Sequence, residues 1–138
     1  MSNGITVKKR KGTIEPLDLE KMHVMMDKAC DGLAGVSASQ VEIQSGIQFY
    51  DGISTAEIQE ILIKSANDLI DLDAPNYQFV AARLLLFSIR KSLYGVIEDI
   101  PHLSDHIHKC VNDGVYDSGI FDKYTEEEIN RLQGVIDH

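Results

Sequence analysis

The first feature of this sequence that suggests chemistry is a run of four basic residues, 8–11 (KKRK), close to the N-terminus. The run lies in a predicted hairpin. Residues 5–10 favour a β-strand, Gly12 marks a turn, and Pro16 ends the returning strand because it has no N–H to donate. Asp18 is then a typical N-cap, so a helix is predicted to begin directly after the hairpin.

The side chains of these two elements have the types that bind a phosphorylated small molecule. Cations near a helix N-terminus bind phosphate well, because the helix dipole and the free N–H groups add to their charge. Lys9 and Arg10 are therefore candidate phosphate ligands. Glu15 and Asp18 could accept hydrogen bonds from sugar hydroxyls or from a base amino group. A solvated basic hairpin beside a capped helix is the alternative at this point.

Three possible metal ligands, His102, His106 and Cys110, recur every four residues and would share one face of a helix. Eight residues of helix rise ~12 Å, so the three cannot reach one ion, and we assign no metal site. Cys30 adjoins the apolar stripe of its helix, which is typical of a buried, inert thiol. The sequence has no nucleophile motif and no phosphate-binding glycine loop, so we assign no catalytic residue.

A second pair of cations, Arg90 and Lys91, ends an apolar helical pattern over residues 79–87. Cations are expected at a helix C-terminus because they interact favourably with the helix dipole. Lys91 gains a functional meaning only if the fold brings it beside the hairpin. The helix itself is apolar nearly all round, which predicts that it is central and buried.

Capping patterns place four helices between residues 18 and 95. Their predicted starts are Asp18 for the first, Ser37 with Gln40 for the second, Ser54 with Glu57 for the third and Pro75 for the fourth. The first is predicted to end near Gly32 and the second near Tyr50, and Ile53 could add a third strand to the hairpin.

The charge and the length of the predicted elements change near residues 95–100, where we place a domain boundary. Residues 96–138 carry three basic and ten acidic side chains, and their predicted elements are shorter. Pro101 could open a helix that runs to about Cys110, and Thr125 with Glu128 forms a capping box for a terminal helix. We therefore predict a mainly α chain, in which four helices and a small β-cap are followed by short helices.

The balance of charge narrows the kind of ligand. The 138 residues include 13 basic and 22 acidic side chains, a net charge of −9, whereas residues 1–21 alone carry +2. An acidic chain binds nucleic-acid backbones poorly, and a local basic cluster favours a small anion. Two cysteines and no apolar run near ~20 residues argue against disulfide-rich and membrane classes. The N-terminus has no apolar signal core, so a cytoplasmic location is expected.

Several segments, in this order and spacing, resemble one known family. Residues 7–12 (VKKRKG) and 15–21 (EPLDLEK) resemble the opening of an ATP-cone domain. The further matching segments are 48–55 (QFYDGIST), 73–78 (DAPNYQ), 81–84 (AARL), 90–91 (RK) and 94–95 (YG). The segments 116–117 (YD), 124–128 (YTEEE) and 136–138 (IDH) resemble the first helical part of the catalytic region in the large subunit of class I ribonucleoside-diphosphate reductase, bacterial and phage type.

The resemblance implies a fold, a ligand and a division into domains. An ATP-cone is a four-helix bundle capped by a small three-stranded sheet. It binds ATP as activator or dATP as inhibitor, here expected together with Mg²⁺. The resemblance implies a cone over residues 1–95 and the start of the helical part of the catalytic region over 96–138. The nucleotide-contacting positions of the family correspond to Val7, Lys9, Arg10, Glu15, Pro16, Leu17, Asp18, Leu19, Glu20, Lys21, Thr55, Gln59 and Lys91.

Within this set, one group of residues would bind the phosphates of the nucleotide and another would contact its base and sugar. The implied phosphate ligands are Lys9, Arg10 and Lys91, assisted by Thr55, and residues 15–21 would surround the base and sugar. Two positions depart from the family pattern. Asp18 stands where Asn is frequent, and Gln59 stands where some members carry His.

The resemblance also implies a role and its partners. The chain would be an allosteric, activity-regulating domain that works with the remainder of the large subunit and the small radical-generating subunit, without nucleic acid or membrane. The catalytic cysteines of the family match neither cysteine here, so a regulatory fragment or split gene product is expected, mostly monomeric or weakly self-associating. Two alternatives are a cone-bearing repressor, disfavoured because no paired C-x-x-C motif is present, and a non-enzymatic helical interaction module with a vestigial cone.

Overall fold

A computed structural model describes residues 4–136 of the chain. Residues 1–3, Asp137 and His138 lie outside this range, and the last two end the final segment of the family resemblance. The chain divides into two compact units, one up to Leu93 and one from Tyr94. Each unit has its own helices and buried residues.

The order of elements confirms the predicted fold class, mainly α with a small three-stranded sheet. The elements of the first unit are β1 (Thr6–Lys8), β2 (Ile14–Pro16), α1 (Leu19–Cys30), α2 (Ala38–Gly46), β3 (Ile53–Ser54), α3 (Thr55–Asp68) and α4 (Tyr77–Tyr94). The elements that follow are α5 (Leu103–Asn112), α6 (Ile120–Lys123) and α7 (Glu126–Gln133). Among the described residues, no helix is long and apolar enough to cross a bilayer.

The sheet has the order β2-β1-β3, with β1 in the middle. β1 and β2 form the predicted hairpin, in which Val7 lies opposite Glu15. Gly12 closes the turn with φ +85°, a backbone conformation that side-chain-bearing residues adopt at a cost. β3 is parallel to β1, with Val7 opposite Ile53, and both side chains are buried. The sheet therefore covers the bundle with one apolar face.

The helix starts follow the predicted caps. Asp18 accepts a hydrogen bond from the N–H of Lys21, and the boxes at Ser54–Glu57 and Thr125–Glu128 are bonded in both directions. At Ser37 only one half of the predicted box forms, because the serine accepts from the N–H of Gln40 without a reciprocal bond. The predicted end of α2 near Tyr50 is wrong. The helix ends at Gly46, and residues 47–49 form tight turns instead.

The prediction that α4 is buried all round is also wrong. One face of the helix enters the core through Tyr77, Val80, Leu84 and Phe87. Five large apolar side chains remain exposed: Phe79, Leu85, Leu86, Ile89 and Leu93. The buried residues recur at intervals of three and four, so a single face of α4 contacts the core. The Nη1 of Arg83 donates to two backbone carbonyls at the end of α1, those of Ala29 (3.1 Å) and Asp31 (2.6 Å).

The second unit is held by a smaller apolar contact between α5 and α7. Ile107 and Ile129 are buried there, together with Ser104. The hydroxyl of Ser104 donates to a carboxylate oxygen of Glu126, and the side chain of Gln133 accepts from the N–H of Leu103. These polar bonds fix the first turn of α5 against α7.

Candidate functional site

One face of the hairpin combines an apolar anchor with a charged pair. Val7 is a buried residue of β1, and Lys9 follows directly after the end of this strand. The ammonium of Lys9 lies 3.6 Å from the Oε2 of Glu15 on β2. The side chains of Lys9 and Glu15 are 34% and 54% exposed, so this pair is available to a ligand. An incoming phosphate would compete with Glu15 for the lysine.

A second charged pair lies where the chain leaves the sheet for α1. Asp18 caps the helix, and its other oxygen lies 3.8 Å from the ammonium of Lys21. The N–H of Leu17 donates to the carbonyl of Ile5, which holds this segment against the first strand. Residues 15–21 therefore form a continuous, mostly exposed edge beside the sheet, and this run contains Pro16, Leu19 and Glu20 as well.

The N-terminus of α3 lies at the end of the sheet where the hairpin turns. Ser54 pairs with Lys8 in the parallel register, and Thr55, the first residue of α3, and Lys9 are the residues that follow this pair. The free N–H groups of the first helical turn carry the positive end of the dipole. Lys9 and α3 thus contribute positive charge to one end of the cap, and Asp18 with Lys21 lies at the other end.

Two carboxylates fix this corner of the fold, and sequence reasoning assigned neither of them to the site. Asp51 accepts hydrogen bonds from the N–H and the hydroxyl of Thr6, at 2.8 and 2.6 Å. These bonds hold the pKa of Asp51 below its ordinary value. The only sequence signal for this role was the Asp-Gly turn pattern, which predicts a turn but not its partner.

Glu57 is the second of these carboxylates. Its pKa is lowered because the backbone N–H and then the hydroxyl of Ser54 donate to it, and the hydroxyl of Tyr50 donates as well, at 2.8 Å. The same hydrogen bond raises the pKa of Tyr50. Glu57 therefore ties the start of α3 to the turn that precedes β3.

Gln59 lies one turn into α3 and faces α1. Its Nε2 lies 3.2 Å from the sulfur of Met25, and its Oε1 is shielded from solvent without a hydrogen-bond partner. A thioether is a weak acceptor, so neither end of this amide has a full-strength protein partner. Leaving a buried polar group unpaired costs about 1–3 kcal/mol. The hydrogen bonding of Gln59 is therefore incomplete within the described residues.

Two predicted phosphate ligands are not drawn into these contacts. Arg10 lies exposed in the hairpin turn, and Lys91 lies exposed in the last turn of α4. Within residues 4–136, neither side chain has a hydrogen bond or ion pair with the hairpin face, so their roles stay predictions. A shallow groove of about 320 Å³ also lies in this unit, but its lining residues are Leu33, Phe79, Ala82, Arg83 and Leu86, none of them a predicted site residue.

The histidine and cysteine positions of α5 have structural partners. The Nδ1 of His102 accepts from the N–H of Ser104 at the start of the helix. The Nε2 of His106 lies 3.5 Å from the sulfur of Cys110. In the part of the chain that the structure describes, no three side chains of His, Cys, Asp or Glu come together as a metal site.

Taken together, the geometry defines a class of protein: a helical domain with a small β-cap, in which charged side chains lie at the cap and at the starts of α1 and α3. This arrangement offers a cation with a carboxylate at each end of the cap, Lys9 with Glu15 and Lys21 with Asp18, and an amide oxygen without a partner between α1 and α3. Such a site fits an elongated anion with sugar-like hydroxyl groups.

Comparison with known proteins supports this class and names it. The family model described as the ATP cone domain matches residues 5–92. The chain therefore belongs to the ATP-cone family, which supports a nucleotide-binding regulatory role.

Full-length relatives extend the similarity over the whole chain. Over an alignment of 138 residues, the whole of this chain, identity is 49% to ribonucleoside-diphosphate reductase 1 subunit alpha of Escherichia coli. Over the same length, identity is 48% to ribonucleoside-diphosphate reductase subunit alpha of Haemophilus influenzae. Over 126 residues, 91% of this chain, identity to the alpha subunit of Helicobacter pylori is 41%. The chain spans 18% of the first two relatives and 16% of the third.

Proposed function

We propose that this chain is the activity-regulating domain of a ribonucleoside-diphosphate reductase large subunit. ATP would activate and dATP would inhibit, through control of subunit assembly for deoxyribonucleotide synthesis. The identity to named alpha subunits along all 138 residues supports this assignment. In this proposal residues 1–95 form the cone, residues 96–138 begin the helical part of the catalytic region, and the protein works in the cytoplasm.

The meeting of two elements at the β-cap, the hairpin and the start of α3, is the observation that carries the proposal. Lys8 pairs with Ser54 in the parallel register, so Lys9 and Thr55 are the residues that follow this pair, and Gln59 lies one turn later on α3. The side-chain oxygen of Gln59 is shielded from solvent and has no hydrogen-bond partner among the described residues, so it could accept a hydrogen bond from a bound molecule. The arrangement therefore supports a bound small molecule between the cap and the helices.

The nucleotide would lie along the cap, with its phosphates at the hairpin end. Lys9 would exchange the carboxylate of Glu15 for a phosphate oxygen, and Thr55 with the free N–H groups of α3 would add hydrogen bonds. Arg10 and Lys91 are the further proposed phosphate ligands, and a Mg²⁺ ion would accompany the triphosphate. Residues 15–21 would surround the base and sugar, through hydrogen bonds that carboxylates accept from hydroxyl and amino groups.

Regulation would follow from linkage between nucleotide and subunit contacts. A nucleotide shifts an assembly equilibrium only when it binds one assembly more tightly than another. We therefore propose that dATP favours an inhibited assembly of large and small subunits, whereas ATP favours the active one. By reciprocity, the inhibited assembly would bind dATP more tightly than the free subunit does.

Isothermal titration calorimetry with ATP and dATP tests the nucleotide site. Lys9→Ala is expected to weaken binding of either nucleotide by about 1.5–3 kcal/mol, the range for hydrogen bonds to charged groups, which corresponds to about 10- to 150-fold. Lys91→Ala is expected to have an effect of the same size. Lys64→Ala, which removes an exposed cation from α3, is the matched control and should leave both affinities unchanged.

Two outcomes would contradict the proposal. Unchanged affinity in both Lys9→Ala and Lys91→Ala would place the nucleotide elsewhere. No binding of either nucleotide to the wild-type chain at millimolar concentration would favour the alternative, a helical interaction module with a vestigial cone. The exposed apolar residues of α4 are the feature that such a module would use.

A further inference from the structure

We propose that His23 is a proton-dependent fastener between α1 and α2. Its imidazole lies between two carboxylates, one for each ring nitrogen. The Nδ1 of His23 is 2.8 Å from the Oε1 of Glu42 on α2, and its Nε2 is 3.4 Å from the Oδ2 of Asp27, one turn further along α1. The ring of His23 therefore connects α1 to α2 through Glu42 and also interacts with Asp27 within α1.

The number of donors decides which form of the ring fits this position. A neutral imidazole has one N–H donor and one lone pair, whereas an imidazolium has two donors. Ionised carboxylates only accept hydrogen bonds. A neutral His23 can thus satisfy one carboxylate while its lone pair faces the other, and only the protonated ring can donate to both. The geometry selects the charged form.

The surrounding charges act in the same direction. The pKa of His23 is raised above its ordinary value of 6.5, first by the hydrogen bond to Glu42, then by the charges of Glu42 and Asp27, with a small opposing effect of burial. The pKa of the neighbouring Cys30 thiol is also raised, mainly by burial and then by the charges of Asp27 and Glu42. The charge of Arg83 on α4 lowers it. The charges that act on the ring of His23 are therefore the two carboxylates, whereas Arg83 acts on the thiol of Cys30.

The sign of the pH dependence follows from the raised pKa. A group whose pKa is higher in the folded state stabilises that state fully below its unfolded value, here about 6.5, and loses the effect as pH rises through the folded value. The α1–α2 contact should therefore be tighter in mild acid than in mild alkali. This inference rests on the fold alone and does not depend on the proposed nucleotide site.

An NMR titration of the histidine ring signals in the full 138-residue chain tests the fastener. Glu42→Gln keeps the shape of the side chain but removes its charge, so the midpoint of His23 should fall toward its ordinary value. Asp27→Asn should lower it less, because its oxygen lies farther from the ring. Glu60→Gln, an exposed acid on α3, is the control and should leave the midpoint unchanged. Equal midpoints in wild type and Glu42→Gln would overturn the proposal.

Thermal unfolding provides a second readout that does not require the Glu42 variant to fold. His23→Gln keeps hydrogen bonding but cannot acquire a proton. The unfolding temperature of the wild type should exceed that of His23→Gln at about pH 6, and the difference should shrink by about pH 8.5. A difference that stays constant or grows toward alkaline pH would show that His23 acts as a neutral packing residue.

Discussion

At the scale of single residues, the site is marked by groups whose partners are incomplete. Lys9 and Lys21 have carboxylate partners at 3.6 and 3.8 Å, distances at which an exposed pair contributes little to stability. Gln59 has only the sulfur of Met25. We expect these side chains to change partners when a nucleotide binds, whereas the hydrogen bonds of Asp51 and Glu57 stabilise the fold itself.

Gln59 is the residue from which we expect discrimination between ATP and dATP. The two nucleotides differ by one 2′-hydroxyl, and a site that hydrogen-bonds a hydroxyl penalises its absence. Gln59→Ala should therefore change the ratio of the two affinities more than it changes their mean. Calorimetry with both nucleotides measures this, and Gln78→Ala, an exposed glutamine on α4, is the control. An equal loss for both nucleotides would make Gln59 a general contact.

A separate expectation concerns pH. Glutamine cannot gain a charge near neutral pH, unlike the histidine that some family members carry there. The ratio of ATP to dATP affinity should therefore vary little between about pH 6 and pH 8. Measuring both affinities across that pH range tests this expectation. A ratio that changes severalfold would show that a titratable group other than Gln59 contacts the 2′-position of the nucleotide.

At the scale of elements, the Asp-Gly turn before β3 is tied to the first strand by one carboxylate. Asp51→Ala removes both bonds to Thr6 and should lower the unfolding temperature at neutral pH. Because the pKa of Asp51 is lowered, its contribution is present above about 3.8 and is lost as pH falls through the lower folded value. The difference between wild type and variant should therefore vanish in acid. A difference independent of pH would mean that the carboxylate charge has no role.

Arg83 of α4 is a second such link, and it joins α4 to the C-terminal end of α1. Its guanidinium bonds two carbonyls that the helix leaves without intrahelical partners. Arg83→Met should lower the free energy of unfolding by about 1.5–3 kcal/mol. Arg83→Lys should lose less, because a single ammonium keeps the charge but not the forked geometry. Equal stability of Arg83→Met and wild type in urea would contradict this role.

The sequence predicted the helix starts well and the tertiary surroundings of the helices poorly. Capping residues act within one turn, so Asp18, Ser54 and Thr125 could be identified from local spacing alone. Burial of α4 depends on how many elements surround it, and its composition does not contain that number. Likewise, the partners of Asp51 and Gln59 lie 45 and 34 residues away in the chain. Such contacts become visible only once the fold is known.

At the scale of the whole molecule, the chain carries a regulatory domain but only a fraction of the length of its relatives. It spans 18% of the Escherichia coli alpha subunit to which it is similar. We expect the 138-residue chain to be mostly monomeric, with weak self-association that depends on dATP, because a nucleotide can shift an assembly equilibrium by its difference in affinity for the two states. Light scattering with and without dATP tests this, and a tight dimer under both conditions would contradict it.

The central claim is the position of the nucleotide between the β-cap and the helices. An NMR titration of the 138-residue chain with dATP and Mg²⁺ tests it most directly. We expect the NMR signals of the Gln59 side-chain amide, the Met25 methyl group and the Thr55 backbone N–H to shift together along one saturating curve. Shifts confined to the groove around Phe79 and Leu86, or no shifts at millimolar dATP, would contradict it.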